Sequence, residues 1–255
     1  MEPDPIDTPP ALEPAIEIVP VQPAREPFWG YSDLGLVLLL VAFGLLVLIV
    51  IDGAIEFADP RLRVDYTPLV LPTNMAAYLI VYLALKLVLG SRYGKPVFSS
   101  LGWKRTRLNL LLVGAGGVAL AFALSALASL LHTPKVETPF EALTNTPFSF
   151  AFLTITAVLI APLFEELFFR GFIQPLLCRS LGIVAGIGVT AALFGALHAP
   201  EYSDKWQYAF TVLLAGVAFG VMRQWTKSII PGTVMHGCFN AVSVVALAID
   251  KFHKG

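Results

Sequence analysis

The sequence predicts an all-α membrane protein: a polytopic bundle of about 7-8 transmembrane spans behind a disordered, Pro-rich N-terminal tail. Three observations carry this. The 255-residue chain is 56% hydrophobic and 14% charged, with a mean hydropathy of +0.75, whereas soluble domains hold about 25% charged residues. Apolar stretches near 20 residues recur along it, the length that crosses a hydrocarbon core at about 1.5 Å per helical residue. Finally, a few polar side chains sit inside those stretches, where hydrocarbon would reject them without a function. A net charge of -1 leaves no basic patch for nucleic acid and no polybasic tract for a membrane surface.

Residues 1–30, beginning MEPDPIDTPPALEPAIEIVP, are rich in Pro and acidic residues and lack an apolar period, so they read as a disordered tail. They also lack the basic and apolar regions of a signal peptide. Residues 31–255 form the transmembrane domain. Its expected spans are Leu34–Ile51, Pro72–Leu89, Leu108–Leu131, Ser149–Leu177, Gly182–His198, Trp206–Met222 and Ile229–Ile249. Lys86 can snorkel from the second. Gly114, Gly116 and Gly117 permit close packing of the third, and Gly216 and Gly220 form a GxxxG face on the sixth. The fourth is unusually long, with a kink expected near Pro162.

The connection Ser91–Arg107 holds Arg92, Lys95, Lys104, Arg105 and Arg107, the densest basic loop, which the positive-inside rule assigns to the cytoplasm. Seven spans then put the N-terminus inside and the C-terminus outside. The expected location is the cytoplasmic membrane of a bacterium, as an integral multi-pass protein. Trp206, Trp225, Tyr66 and Trp103 read as interfacial anchors, and His132 and His253 as solvated loop residues. Cys178 and Cys238 have neither metal-ligand nor disulfide spacing and read as buried small hydrophobes.

The polar groups that matter are Glu165, Glu166, Arg170, His198, His236 and Asn240. Glu166 and Arg170 are four apart with the acid first, the favoured order for an ion pair along a helix. Glu165 is rotated by about 100° from Glu166 and points elsewhere, a carboxylate left without that local partner. Counting helical rise from the turns near Arg179–Leu181 and Lys227 puts Glu165, His198, His236 and Asn240 about 14 to 24 Å from one side of the membrane. His236 and Asn240 share a helix face. The four can therefore meet.

These residues make three motifs in order: EExxxR at Glu165-Glu166-Leu-Phe-Phe-Arg170, FxxxH at Phe194-Gly-Ala-Leu-His198, and HxxxN at His236-Gly-Cys-Phe-Asn240. Over about residues 145–250 the chain resembles the CPBP family of intramembrane proteases, which includes CAAX prenyl endopeptidases and bacteriocin-processing or immunity-related proteins. The resemblance implies hydrolysis of a peptide bond within the membrane, in a membrane-associated substrate that is prenylated or leader-bearing in some members. Every motif position is filled.

Hydrolysis needs an activated water, a proton shuttle and oxyanion stabilisation. Glu165 is the candidate general base, with His198 on the same water and His236 and Asn240 as oxyanion donors. Glu166 and Arg170 brace the helix, and Phe194 positions the His198 ring. No cofactor is the favoured expectation. Zinc is the alternative, ligated by Glu165, His198 and His236, which carry ordinary zinc donors but no HExxH motif. Expected partners are the lipid bilayer and a peptide or protein substrate. Two other classes stay open: a small transporter, which also buries carboxylates and histidines but commonly shows internal repeats, and a non-catalytic scaffold or immunity protein, which would tolerate loss of Glu165.

Overall fold

The computed structural model describes residues 26–63, 67–136 and 146–254. Among them seven helices are long and apolar enough to cross a membrane. They are Tyr31–Ala58, Pro68–Tyr93, Leu110–Leu130, Pro147–Leu181, Ile183–Tyr202, Trp206–Thr226 and Ile230–Lys251, hereafter the first to seventh spans. No strand occurs among the described residues. The protein is an integral, multi-pass helical bundle. Side chains such as Leu39, Phe43, Leu111 and Val184 stand exposed on its outer faces, as lipid contacts require. Trp103, Trp206 and Trp225 are exposed as well; Tyr66 and the His253 side chain lie outside the described residues. His132 is exposed, whereas Cys178 and Cys238 are only half-buried thiols.

The expected tail extends too far at its C-terminal end. Residues 1–25 lie outside the described part, but Trp29 is buried: its Nε1 donates to the Phe172 carbonyl at 3.0 Å and its ring stacks on Phe172. Arg179 donates to the Pro27 carbonyl. Phe28 and Trp29 give this short stretch aromatic side chains, which the preceding Pro-rich residues lack. Nearby, Asp33 is buried and accepts from Gly30 N, Arg92 and the Tyr93 hydroxyl. That cluster ties the first span to the second at the end bearing the basic loop. The loop itself is pinned: Ser228 Oγ donates to the Lys104 carbonyl and Ile229 N to that of Gly102.

Small residues set the packing around the site. The sixth span closes on the fourth and fifth through its GxxxG face, where a side chain at Gly216 would meet Arg170 and Ala191, and one at Gly220 would meet Gln174 and Ile187. Both exposed carbonyls are then used: Arg170 Nη2 donates to Gly216 O at 3.1 Å and Gln174 Nε2 to Gly220 O at 2.9 Å. The third span meets the seventh where Gly117 faces the Met235 carbonyl. Gly182, at φ 83°, makes the turn between the fourth and fifth.

The fourth span is not a plain α-helix with one kink. It holds two π-helical stretches, Thr156–Ile160 and Glu166–Ile173, each followed closely by a proline, Pro162 and Pro175. The Ala161 N–H reaches back five residues to Thr156 O. The Ala157 carbonyl therefore loses its α-helical donor, and its π-helical donor would be Pro162, which has no N–H. Asn240 Nδ2 supplies the missing bond at 2.9 Å. Gly237 gives the seventh span the close approach this needs, since a Cβ there would strike Val158 O. π turns of this kind concentrate at functional sites.

Candidate active site

Glu165 and Glu166 end one helical segment and begin the next π turn, and their side chains part as the sequence predicts. Glu166 is fully buried and meets Arg170, also fully buried, with Nη1 3.0 Å from Oε1. That N–H is not aligned on the oxygen as a hydrogen bond; the contact is an ion pair, with the guanidinium oriented by Gly216 O and lying over the Phe194 ring at 4.3 Å. Glu166 has a second neighbour the sequence did not reveal, His236 Nδ1 at 3.3 Å.

Glu165 faces a cavity of about 570 Å³ lined also by Tyr78, His198, Phe219, His236 and Asn240. Its Oε2 lies 3.9 Å from His198 Nε2 and 3.7 Å from His236 Nε2. Both separations exceed a direct hydrogen bond and suit groups that share a bridging water. His198 Nδ1 is 2.8 Å from the Phe194 carbonyl, and the two rings are 4.4 Å apart. Donation from Nδ1 to that carbonyl leaves the Nε2 lone pair facing Glu165. The His236 ring stacks on Phe219 at 4.5 Å and stands between the two carboxylates. The predicted convergence of Glu165, His198, His236 and Asn240 on one cavity is present.

Two contacts add to the sequence reading. The Tyr78 hydroxyl donates to Glu165 Oε1 at 3.0 Å, and the Tyr78 ring stacks on Phe164. One Asn240 amide N–H is committed to Ala157 O; a second amide hydrogen remains. Sequence reasoning missed Tyr78, Phe219 and Glu201. The one available signal for Tyr78 was its place with Asn74 and Tyr82 at i, i+4 spacing in an otherwise apolar second span. The cavity extends from these residues past Leu71, Asn74, Ala128, Tyr202 and Asp250, toward the end of the bundle opposite the basic loop.

Residues 147–242 match the family model for type II CAAX prenyl endopeptidase Rce1-like proteins. Over that segment the chain is similar to this family. The match bears out the CPBP resemblance, runs from the fourth span into the seventh, and contains all six motif residues. No curated protein and no solved structure gives a significant match. Tyr78 lies outside the Rce1-like segment, so the first half of the chain supplies one wall of its cavity and one hydrogen bond to its central carboxylate.

The donor chemistry at Glu165, His198 and His236 is that of a zinc site, and zinc would require its ligand atoms about 2.0–2.2 Å from one point. Among the described residues no group of three or more His, Cys, Asp or Glu side chains is arranged to hold a metal. The contacts engage these side chains otherwise, with His236 Nδ1 turned to Glu166 and Glu165 Oε1 accepting from Tyr78. Tyr78→Phe keeps the stack on Phe164 and deletes only that donor. A hydrogen bond to a charged group is worth about 1.5–3 kcal/mol, so any Glu165-dependent activity should fall by about ten-fold or more in this variant. A rate equal to wild type would show that the bond does not hold the carboxylate in place.

Proposed function

We propose that the chain is an intramembrane endopeptidase that hydrolyses a peptide bond of a membrane-associated polypeptide with a water activated by Glu165. The supporting observation is the approach of two imidazole Nε2 atoms to one Glu165 oxygen, at 3.9 and 3.7 Å, on the wall of a cavity within the bundle. Glu165 takes a proton from the water as its oxygen attacks the scissile carbonyl carbon. His198 Nε2 orients that water. The carbonyl oxygen gains the negative charge and is met by the remaining Asn240 amide hydrogen and by His236 when its Nε2 is protonated. Collapse of the tetrahedral intermediate breaks the C–N bond, and Glu165 returns its proton to the leaving nitrogen. General acid–base transfer of this kind contributes about 10²–10⁴-fold. Oxyanion donors in a dry site add several kcal/mol more, on the order of 3 kcal/mol each.

In this reading Glu166 and Arg170 are structural. Their mutual attraction offsets part of the desolvation of two buried charges, and Glu166 turns His236 toward Glu165.

Comparing membrane proteomes of cells carrying wild type or Glu165→Ala tests the reading: the substrate should accumulate uncut in the variant. Identical proteomes would favour a transporter or scaffold. Once a substrate is in hand, purified protein stripped rigorously of metal should keep full activity. Loss restored by added zinc would instead put Glu165, His198 and His236 in the role of ligands.

A further inference from the structure

The end of the bundle that bears the basic loop holds a second groove, of about 390 Å³, far roomier than the ~10–15 Å³ that one water needs. It is lined by Tyr82, Lys86 and Gly90 of the second span and by Gly94, Lys95 and Phe98 just beyond it. The glycines keep it open, since a Cβ at Gly90 or Gly94 would meet nothing within 4 Å. The described lining holds two lysines and neither Asp nor Glu. Both lysines are exposed, and no described carboxylate forms an ion pair with either. Asp33, the buried acid at this end, accepts from Gly30, Arg92 and Tyr93 instead. Lys95 Nζ sits 4.2 Å from the centroid of the Phe28 ring, a cation–π contact that holds the charge in place without neutralising it.

An apolar strip leads into this groove. Leu79, Leu83, Lys86 and Gly90 fall at i, i+4, i+7 and i+11, one stripe of a helix. Leu79 and Leu83 are 53% and 49% exposed, so the stripe faces lipid as far as Lys86. Lys86 precedes Tyr93, the last residue of the span, by seven positions, about 10 Å of helix. A lysine at that depth lays its stem on apolar surface and carries its ammonium toward the interface, where Lys95 follows the end of the span. The rings of Tyr82 and Phe98, 6.1 Å apart, and Trp103 packed edge-on against Phe98 mark the same level, as interfacial aromatics do. Two positive charges above a lipid-facing apolar strip match an amphiphile with an anionic head and acyl tails. A free phosphate would use the lysines alone. The positive-inside rule assigns this end to the cytoplasmic side, whose leaflet carries anionic lipid.

We infer that this groove binds one anionic phospholipid, with Lys86 and Lys95 holding the phosphate and with Leu79 and Leu83 lying along an acyl chain.

Native mass spectrometry of the purified full-length protein, titrated with phosphatidylglycerol or with phosphatidylcholine of the same acyl chains, tests this. Phosphatidylglycerol should bind wild type at least about ten-fold more tightly, the effect expected of two lysines near anionic lipid. That preference should vanish in Lys86→Gln/Lys95→Gln and persist in Lys86→Arg/Lys95→Arg, which keeps both charges. It should also persist in Arg105→Gln/Arg107→Gln, whose exposed arginines belong to the same loop but lie outside the groove. Melting in lipid-free detergent should match wild type in every variant, because the exchanged side chains are exposed. Single Lys86→Gln and Lys95→Gln proteins should each show part of the loss, so the test stands on either alone. Equal affinity for the two lipids, or an undiminished preference in the Gln pair, would overturn the site. An equal loss in the Arg105 and Arg107 pair would replace it by diffuse attraction to the loop. Displacement of the bound lipid by inorganic phosphate would overturn the lipid assignment.

Discussion

Glu165→Gln is expected to lower proteolysis by at least about 10², the smaller end of what a positioned acid–base group supplies, with membrane abundance and thermal stability unchanged. Gln keeps the length and shape of the side chain, and its amide oxygen still accepts from Tyr78. It cannot take a proton from water. The side chain is 15% exposed to the cavity, so the exchange leaves no charge stranded in the core. His198→Ala should be similarly inactive on the proposed mechanism, in which its imidazole orients the same water. Turnover of an identified substrate, measured alongside melting temperature, separates the chemistry from the fold. A Glu165→Gln protein that cuts at the wild-type rate would move the catalytic carboxylate elsewhere.

Arg170→Ala is expected to act on the fold first. Arg170 and Glu166 are both fully buried, and the pair is anchored by Gly216 O and the Phe194 face. Removing one member of a buried pair costs about 3–5 kcal/mol, since the other charge is left without its partner. That is a large share of the roughly 5–15 kcal/mol by which ordinary domains are stable. The variant should therefore be scarce in membranes and melt well below wild type, and its residual activity per folded molecule should also fall as Glu166 ceases to hold His236. Normal abundance and melting in Arg170→Ala would show that the pair is dispensable. Glu166→Gln should also be scarce, because the neutral amide leaves the buried Arg170 charge without its counter-charge.

The sequence was most informative where the physics is local. Apolar length alone located the spans, and the added helical turns at their ends are polar or mixed residues that hydropathy does not reach. The Glu166–Arg170 contact follows from i, i+4 spacing, which any helical register close to α preserves. Helical rise from the turns put Glu165, His198 and His236 at matching depth, and they do meet. Depth, however, is only one coordinate. Which face each helix presents is a rotation, and rotation depends on packing.

The contacts decided by packing join residues distant in the chain. Tyr78 reaches Glu165 across 87 positions and Asn240 reaches Ala157 across 83, and no local pattern encodes either. The π turns before Pro162 and Pro175 change the phase of the fourth span, so a strict 3.6-residue count loses track of where its side chains point. The same turns free the Ala157 carbonyl that then claims Asn240. Glu201 reads in the sequence as one acid in a short polar turn, and only the closing of the fifth span over the cavity makes it part of the wall. Composition, span number, motif chemistry and the buried ion pair were thus fixed by the chain itself. The hydrogen-bonded state of Glu165 and the seat of His236 between two carboxylates were set by tertiary structure, because each depends on how helices rotate and approach after the spans have formed.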